Sequence, residues 1–422
     1  MQTAEKTAVS VVEWARDGRF KEIAALFTPP LRAALTAEAL QAAWLAGTAG
    51  TGPVTDLGEP SSEPLRPNLI RVSVPLVCER GQLTAVMSVD SAGLLNGLRL
   101  APPACAPWAA PSYADPDAFE EHDVTVGSGA LAVAGTLTVP CGDGPWPGVV
   151  LLSGGGPFDR DATSGPNKPL KDLAWGLASR GVAVLRHDKV TFTHAAEVAA
   201  ADDFTMTREY VPYAVAAVRL LQEEPCVDSG RVFVAGHSMG GKVAPRVAER
   251  EPSVSGVVIL AGDAAPMHRA AVRVVGHLAA LAPGPHSEAA LAEITRQAAT
   301  VETALVPGTP REELPFGLPA SYWLDLRSYD PVATAATLDK PLLILQGGRD
   351  YQVTVEHDLS LWRKGLAGRP DVTIQVYEAD DHLFFPGTGP STPDAYLAPQ
   401  HVDAAVITDV AAWLDCGLPR ES

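Results

Sequence analysis

The sequence predicts an α/β protein in which a mostly parallel sheet, covered by helices on both faces, follows a small α+β domain. Two patterns lead to this prediction. From residue 148 onward, short apolar segments such as 148–152, 232–235 and 342–346 alternate with helical segments, as they do in a parallel sheet that is buried on both faces. Before residue 101, segments with helical spacing come first and strand-like segments follow, which is the order of an α+β domain.

The N-terminal block is predicted to contain three helices and a three-stranded antiparallel meander. Apolar residues at helical spacing favour helices over 3–16, 20–27 and 36–45, with Thr36 as the N-cap of the third. Strand-like segments at 69–78, 83–89 and 94–100 are separated by short turns. We assign this block to residues 1–104.

A proline-rich stretch separates the two parts of the chain. Residues 101–117 hold five prolines, and prolines at this density stiffen a segment and mark a domain boundary. We therefore place a linker at 105–120 and the α/β domain at 121–418. Helical and then proline-rich, aromatic segments at about 265–335 interrupt the alternation of strands and helices, so we expect a cap inserted over the edge of the sheet.

The composition argues against several classes of partner. The 422-residue chain holds 32 Lys and Arg against 50 Asp and Glu, a net charge of −18, so nucleic acid and anionic lipid should be repelled. No apolar run approaches the ~18 residues of a membrane span, and the first residues lack the pattern of a secretory signal. The five cysteines form no C-x-x-C pair, which argues against a zinc site or a disulfide framework. We expect a cytoplasmic protein that uses no metal and no other cofactor.

One short motif predicts a nucleophile. Residues 236–240 read Gly-His-Ser-Met-Gly, a match to G-x-S-x-G. The motif follows the apolar segment 232–235 and precedes a helical segment, and strand, tight turn and helix are the setting of a nucleophile elbow. Ser238 is therefore the predicted nucleophile. The N–H of Met239, at the start of the helix, is the predicted first donor to an oxyanion.

A base and an acid are expected further along the chain. Asp350 and His382 each follow a predicted strand, and the carboxyl ends of parallel strands meet at one edge of a sheet. The order Ser, Asp, His along the chain is the one expected for a parallel sheet that carries a nucleophile elbow. We predict that Asp350 orients His382 and that His382 activates Ser238, with Asp380 or Asp381 as the fallback acid.

A glycine-rich segment predicts the second oxyanion donor. An apolar strand runs directly into Ser153-Gly154-Gly155-Gly156-Pro157, and a loop of this kind turns N–H groups towards the sheet edge. Gly155 is the favoured donor, with Gly154 and Gly156 as alternatives. The loop lacks the spacing of phosphate-binding motifs. Asp159, Arg160 and Asp161 are expected to brace the loop through ion pairs.

Four further side chains are assigned to the substrate pocket. They are His187, His237, Phe158 and Trp323. Trp323 belongs to the expected cap, where aromatic residues suggest an apolar pocket.

These residues resemble those of the α/β-hydrolase superfamily, and the resemblance covers about residues 120–418. Residues 153–161 resemble the S-G-x-G-P-x-D-R-D loop of a bacterial serine esterase branch related to dienelactone hydrolases, and residues 165–189 also fit that branch. The resemblance implies the α/β-hydrolase fold with a helical cap. The N-terminal block resembles the small cystatin-like or nuclear-transport-factor-like domains that precede such hydrolases.

The chain departs from the esterase branch at two places. Relatives commonly read Arg-Tyr-Asp-Lys-Arg where this chain has Arg186-His187-Asp188-Lys189-Val190. Lys242 occupies a position just after the elbow that is often uncharged in relatives. Both changes are expected to alter the pocket.

The sequence therefore predicts a serine hydrolase that cleaves a small-molecule ester or thioester with an apolar acyl group through an acyl-enzyme. One alternative keeps the triad but passes the acyl group to an amine or alcohol, as in an acyltransferase or a cyclising enzyme of a biosynthetic pathway. Another is a non-catalytic binding protein on a hydrolase scaffold. The sequence does not decide whether the protein forms a homodimer.

Overall fold

A computed structural model of the chain describes residues 2–66, 68–101 and 108–416. Its contacts separate two compact units, Met1–Ala106 and Pro107–Ser422. Residues 105–107 of the predicted linker lie outside the described residues, and Pro116–Ala118 near its end form one turn of 3-10 helix.

The first unit consists of helices followed by an antiparallel sheet. Its helices are α1 (Gln2–Arg16), α2 (Phe20–Ala25), α3 (Pro29–Ala34) and α4 (Ala37–Thr48). Its strands are β1 (Val54–Leu57), β2 (Ser61–Arg66), β3 (Leu69–Cys78), β4 (Gly81–Asp90) and β5 (Leu95–Ala101). The order of four strands is β1-β3-β4-β5, and β2 also pairs with β3.

Alternate residues of β3 build the core of this unit. Val72, Val74 and Leu76 are fully buried, because successive side chains of a strand point to opposite faces. They form one apolar cluster with residues of α1 such as Val11 and Val12. Helix α3 and strands β1 and β2 were not predicted.

The second unit alternates strands and helices. Its strands are β6 (Phe119–Val126), β7 (Val133–Pro140), β8 (Trp146–Leu152), β9 (Ala183–His187), β10 (Val227–His237), β11 (Val257–Leu260), β12 (Leu342–Gly347) and β13 (Val372–Tyr377). Its helices are α5 (Pro169–Ala178), α6 (Val190–Thr193), α7 (Ala195–Ala200), α8 (Met206–Glu223), α9 (Met239–Arg250), α10 (Met267–Leu281), α11 (Pro285–Thr303), α12 (Ala320–Ser328), α13 (Pro331–Thr337), α14 (Ser360–Gly365) and α15 (Ala404–Cys416). Four of the helices, α10–α13, lie between β11 and β12.

The eight strands form one mostly parallel sheet in the order β13-β12-β11-β10-β8-β9-β7-β6. The strands from β13 to β9 in that order are mutually parallel, and β7 runs antiparallel to both β9 and β6. The α/β-hydrolase fold predicted from the sequence is confirmed.

Both faces of this sheet are buried. In β8, Val150 and Leu152 belong to the apolar cluster that includes helices α8 and α9. The alternate residues Val149 and Leu151 belong to the cluster that includes α5 and α15. This arrangement explains why the central strands read as continuous apolar runs rather than as alternating ones. Among the described helices, none is both long and apolar enough to cross a membrane.

The strand order brings three loops to one sheet edge. Strand β8 is the neighbour of β10, with Leu152 paired to Gly236. The glycine-rich segment after β8 therefore lies beside the turn after β10. The loops after β12 and β13 leave from the same edge, because these strands are parallel to β10 through β11.

We predict that Leu345→Ala lowers the free energy of unfolding by about 2–5 kcal/mol, because Leu345 in β12 is fully buried and the truncation leaves a cavity. The control is Leu361→Ala, which removes the same atoms from a side chain that is 38% exposed. Urea denaturation should show a clear loss for the first variant and a small change for the second. Equal losses would contradict the described core.

Candidate active site

Ser238 lies in the sharp turn between β10 and α9. Its backbone has φ 55° and ψ −120°, a region that costs energy for any residue with a side chain. The side chain is half-buried and contributes to the wall of a cavity. These are the features of a nucleophile elbow.

Two glycines permit this turn. A Cβ atom on Gly236 would lie 2.1 Å from the carbonyl oxygen of Gly240, and a Cβ atom on Gly240 would lie 2.5 Å from the carbonyl oxygen of Leu152. Both obstacles are backbone atoms that cannot rotate away. The first and last positions of the motif must therefore be glycine for the strand, the turn and the helix to pack this closely.

The loops after β12 and β13 bring Asp350 and His382 into contact. His382 Nδ1 lies 2.7 Å from Asp350 Oδ2, and both residues are buried. The N–H groups of Gln352 and Val353 donate to Asp350 Oδ1 at 2.8 and 2.9 Å, and the Gln346 side chain donates to Oδ2. The carboxylate is thus fixed in place and accepts the proton of Nδ1, so that Nε2 of the neutral ring carries the lone pair.

The electrostatic surroundings raise the pKa of His382. Burial acts to lower the pKa of the ring, but the charge and hydrogen bond of Asp350 outweigh burial, and Asp381 and Asp263 add to its effect. The pKa of His382 therefore lies above its ordinary value of 6.5. A histidine that a buried carboxylate orients in this way suits general base catalysis.

Neither fallback acid is hydrogen-bonded to the His382 ring, which contacts Asp350 instead. Asp381 Oδ1 accepts hydrogen bonds from the N–H groups of Leu383 and Phe385 and so closes the turn that carries His382. Asp380 is buried, and burial together with the charges of Asp403 and Asp381 raises its pKa to about 7. The contact with the His382 ring is made by Asp350.

His237 is hydrogen-bonded to the backbone of the loop after β13, which carries His382, and does not line the cavity. Its Nε2 lies 2.7 Å from the carbonyl oxygen of His382, so Nε2 is the donor. Burial and the neighbouring His382 lower the pKa of His237 to about 3, which keeps its ring neutral. We predicted that His237 lines the pocket. Instead, it contacts the backbone of His382 and is not part of the cavity wall.

The glycine-rich loop lies beside the elbow. A Cβ atom on Gly154 would lie 3.2 Å from Ser238 Cβ, and one on Gly155 would lie 3.6 Å from Met239 Cβ. Gly155 and Gly156 line the same cavity as Ser238 and Met239. The structure thus brings the predicted oxyanion donors to the predicted nucleophile.

Arg160 and Asp161 brace this loop through ion pairs, as expected. The Arg160 side chain contacts Asp188 at 3.0 Å. Asp161 contacts the fully buried Arg186 at 2.9 Å and Lys168 at 2.7 Å. The third expected member, Asp159, instead accepts hydrogen bonds from the backbone and hydroxyl of Thr163.

A cavity of about 680 Å³ opens on Ser238. Most of its wall is apolar and comes from α7, α10 and the segment before α12, as in Val198, Met267, Ala270, Ala271, Val274, Val275, Phe316 and Leu318. A few polar side chains interrupt this wall: Thr191, Glu209, Asp263, Arg311, Tyr322 and Gln352. The α10 residues could not be assigned to the pocket from the sequence, because their helical spacing is that of any helix packed on a core.

Three other predicted pocket residues are also placed elsewhere. His187 is buried with its ring 6.1 Å from that of Tyr213 and Nδ1 bonded to the Asp188 carbonyl. Phe158 packs against the core on the α5 side of the sheet. Trp323 lines a separate cavity of about 640 Å³, in which Lys242 also lies. The pocket is therefore built from other residues.

In the part of the chain that the structure describes, no cluster of three or more His, Cys, Asp or Glu side chains could hold a metal ion.

We predict that Gly236→Ala lowers kcat/KM by about 100-fold or more, because the added methyl group displaces the elbow and a displacement of about 1 Å can cost that much. Gly230→Ala is the control in the same strand, since its Cβ would only reach the Asp228 side chain at 3.4 Å. Ester hydrolysis assays compare the two. Full activity of the Gly236 variant would contradict the described packing.

Comparisons with known proteins identify the family of this chain. The family model described as "Serine aminopeptidase, S33" matches residues 168–386. Esterase EstD of Thermotoga maritima is 38% identical over 336 residues, which span 80% of this chain and 77% of EstD. Among solved structures, an esterase of Pyrococcus furiosus (16% identity, 75% of this chain and 98% of that one, TM-score 0.44) and Est1E of Butyrivibrio proteoclasticus (13% identity, 70% and 99%, TM-score 0.45) are similar. The chain is an esterase-like hydrolase with the α/β-hydrolase fold, and it belongs to the serine aminopeptidase S33 family.

Proposed function

We propose that this chain is a serine esterase that hydrolyses a carboxylic ester or thioester with a small or medium apolar acyl group. The observation that carries the proposal is the hydrogen bond between His382 and Asp350, made at the sheet edge where Ser238 faces an apolar cavity. The likeness to EstD supports ester chemistry.

In the proposed reaction, Ser238 attacks the carbonyl carbon while Nε2 of His382 takes its proton. The negative charge that develops on the carbonyl oxygen is stabilised by the N–H groups of Met239 and Gly155. The proton then passes from His382 to the departing alcohol or thiol, which leaves an acyl group on Ser238. Water attacks this acyl-enzyme with His382 again as the base, and the acid is released.

The proposed reaction steps depend on the orientation of the His382 ring. Asp350 accepts the proton of Nδ1, so the free lone pair of the ring lies on Nε2, where it can accept the proton of the serine hydroxyl. The same carboxylate stabilises the imidazolium that forms after proton transfer. Four donors hold the Asp350 carboxylate in place for this purpose.

The cavity supports an apolar substrate of limited size. Its volume of about 680 Å³ falls in the range of ~300–1,000 Å³ that small-molecule sites occupy. Most of its wall is aliphatic, as at Val274, Val275 and Leu318, so we expect an aliphatic or aromatic chain to fit best.

We predict that Ser238→Ala lowers kcat for p-nitrophenyl butyrate by at least about 1,000-fold without a change in melting temperature, because the nucleophile is lost and the fold is kept. Ser253→Ala, at an exposed position, serves as the control. Wild-type turnover by the Ser238 variant would refute the assignment.

The pH dependence follows from the raised pKa of His382. Below that pKa the ring is protonated and cannot act as a base, so kcat/KM should fall as the pH is lowered through a value above 6.5. Asp350→Asn removes the charge that raises the pKa, so the acidic limb should move to lower pH while kcat falls by about 10,000-fold. A pH profile of both proteins tests this. A larger loss from Asp381→Asn than from Asp350→Asn would contradict the choice of acid.

The size of the cavity predicts a chain-length preference. Ala271 in α10 lines the cavity and is buried, so Ala271→Phe should reduce kcat/KM for p-nitrophenyl decanoate by about tenfold or more relative to the butyrate, because the ring fills space that a long chain needs. Ala280→Phe, at an exposed position of the same helix, is the control. If the ratio of kcat/KM for the decanoate to that for the butyrate is unchanged in Ala271→Phe, the acyl chain does not lie in this cavity.

A further inference from the structure

The carbonyl oxygen of Gly154, in the glycine-rich loop, has two buried donors. The ammonium group of Lys189 donates to it at 2.8 Å, and the hydroxyl of Tyr210 donates at 2.7 Å. Both side chains are buried. Lys189 also donates to the Tyr210 hydroxyl at 2.7 Å, so the two donors and the carbonyl form a closed triangle of hydrogen bonds.

This triangle determines the direction of the next N–H group. The carbonyl of Gly154 and the N–H of Gly155 belong to one planar trans peptide, so they point in opposite directions. Because the carbonyl points at Lys189 and Tyr210, the N–H of Gly155 points away from them. Gly155 lines the cavity, and Lys189 and Tyr210 are not among the cavity's lining residues. Among the described residues, no backbone or side-chain group accepts a hydrogen bond from this N–H.

A second layer of contacts holds Lys189. Its ammonium group lies 2.8 Å from Glu209 Oε1, and Glu209 in turn accepts hydrogen bonds from the hydroxyls of Thr191 and Tyr322. The three protons of the ammonium group therefore have three partners: Gly154, Tyr210 and Glu209. The lysine has little freedom to release the loop.

Stability alone does not account for a buried ion pair of this kind. Taking two charges out of water costs several kcal/mol, and apolar residues of similar volume often stabilise a fold as well or better. Lys189 also belongs to the segment Arg186–Lys189, whose Arg186 and Asp188 bind Asp161 and Arg160 of the same loop. The segment thus contacts the glycine-rich loop near its start, at Gly154, and near its end, at Arg160 and Asp161. Contacts at both ends of the loop indicate that its conformation must be precisely fixed.

We propose that Lys189 and Tyr210 are positioning residues that fix the Gly154–Gly155 peptide so that the N–H of Gly155 stabilises the oxyanion. This inference rests on the proposed serine esterase reaction. It also selects Gly155 over Gly154 and Gly156 as the second donor. The Arg186–Lys189 segment, which the triad leaves unexplained, acquires a role in transition-state stabilisation.

The test compares two tyrosines of helix α8. Tyr210→Phe removes the hydroxyl that donates to Gly154, whereas Tyr213→Phe removes a hydroxyl that donates to the Leu131 carbonyl at 3.0 Å. We expect Tyr210→Phe to lower kcat for p-nitrophenyl butyrate about tenfold with KM within twofold of wild type, because the lost interaction acts in the transition state. Tyr213→Phe should retain wild-type kcat.

A transition-state analogue separates positioning from a general loss of structure. The inhibition constant of a phenylboronic acid, which forms a tetrahedral adduct on a serine, should rise in Tyr210→Phe by the same factor by which kcat/KM falls. Lys189→Met should show the same pattern with a larger loss, and Lys189→Met/Glu209→Gln removes both charges if the single variant does not fold.

The outcomes distinguish this proposal from the proposed function. If Tyr210→Phe matches Tyr213→Phe in kcat and in boronate inhibition while Ser238→Ala is inactive, the positioning role is wrong and the serine esterase assignment stands. If Ser238→Ala retains activity, the reaction itself is wrong. A tenfold rise in KM with unchanged kcat would likewise overturn the positioning role.

Discussion

The close backbone contact between Gly236 and Gly240 is the constraint on which the site depends. It permits the turn that holds Ser238 at a positive φ, and it lets helix α9 begin directly at Met239. The neighbouring strand β8 passes so close that Gly240 nearly touches the Leu152 carbonyl. These two contacts thus bring Ser238, the first N–H of helix α9 and the start of the glycine-rich loop together. The sheet, buried on both faces, supplies the rigidity that keeps them in place.

Buried charges organise the groups around this turn. Asp350 accepts hydrogen bonds from several donors that hold it beside His382. Lys189 and Glu209 form an ion pair beside the glycine-rich loop. Arg186, which contacts Asp161 of that loop, has almost no exposure. Each of these charges has a partner within hydrogen-bonding distance, as buried charges require. Fixed charges and dipoles of this sort need no reorganisation when a transition state forms.

Much of this arrangement could be predicted from the sequence, because its signals are local. The elbow has a fixed spacing between a strand and a helix, and Asp350 and His382 each follow an apolar strand. The parallel sheet then places strand ends at one edge by geometry alone. In the first unit, strand β2 escaped prediction because Pro64 interrupts its pattern, and such a strand is tolerated at an edge.

The pocket could not be predicted in the same way. Its residues come from α7, α10 and the segment before α12, and which face of a helix meets the cavity depends on packing between distant segments. Trp323 and His187 looked suited to a pocket by residue type, yet they pack into other surroundings. The network behind Gly154 was also hidden, since nothing in the sequence links Lys189 and Tyr210 to a carbonyl more than 30 residues earlier.

The proposed reaction requires that Ser238 carries the acyl group during turnover. The most direct measurement is mass spectrometry of peptides from enzyme that has been mixed with a p-nitrophenyl ester and quenched in acid. We expect the acyl mass to appear on the peptide containing Ser238 and to be absent from the same peptide when the ester is omitted. Continued turnover with the acyl group on another residue, or with no adduct at any residue, would contradict it.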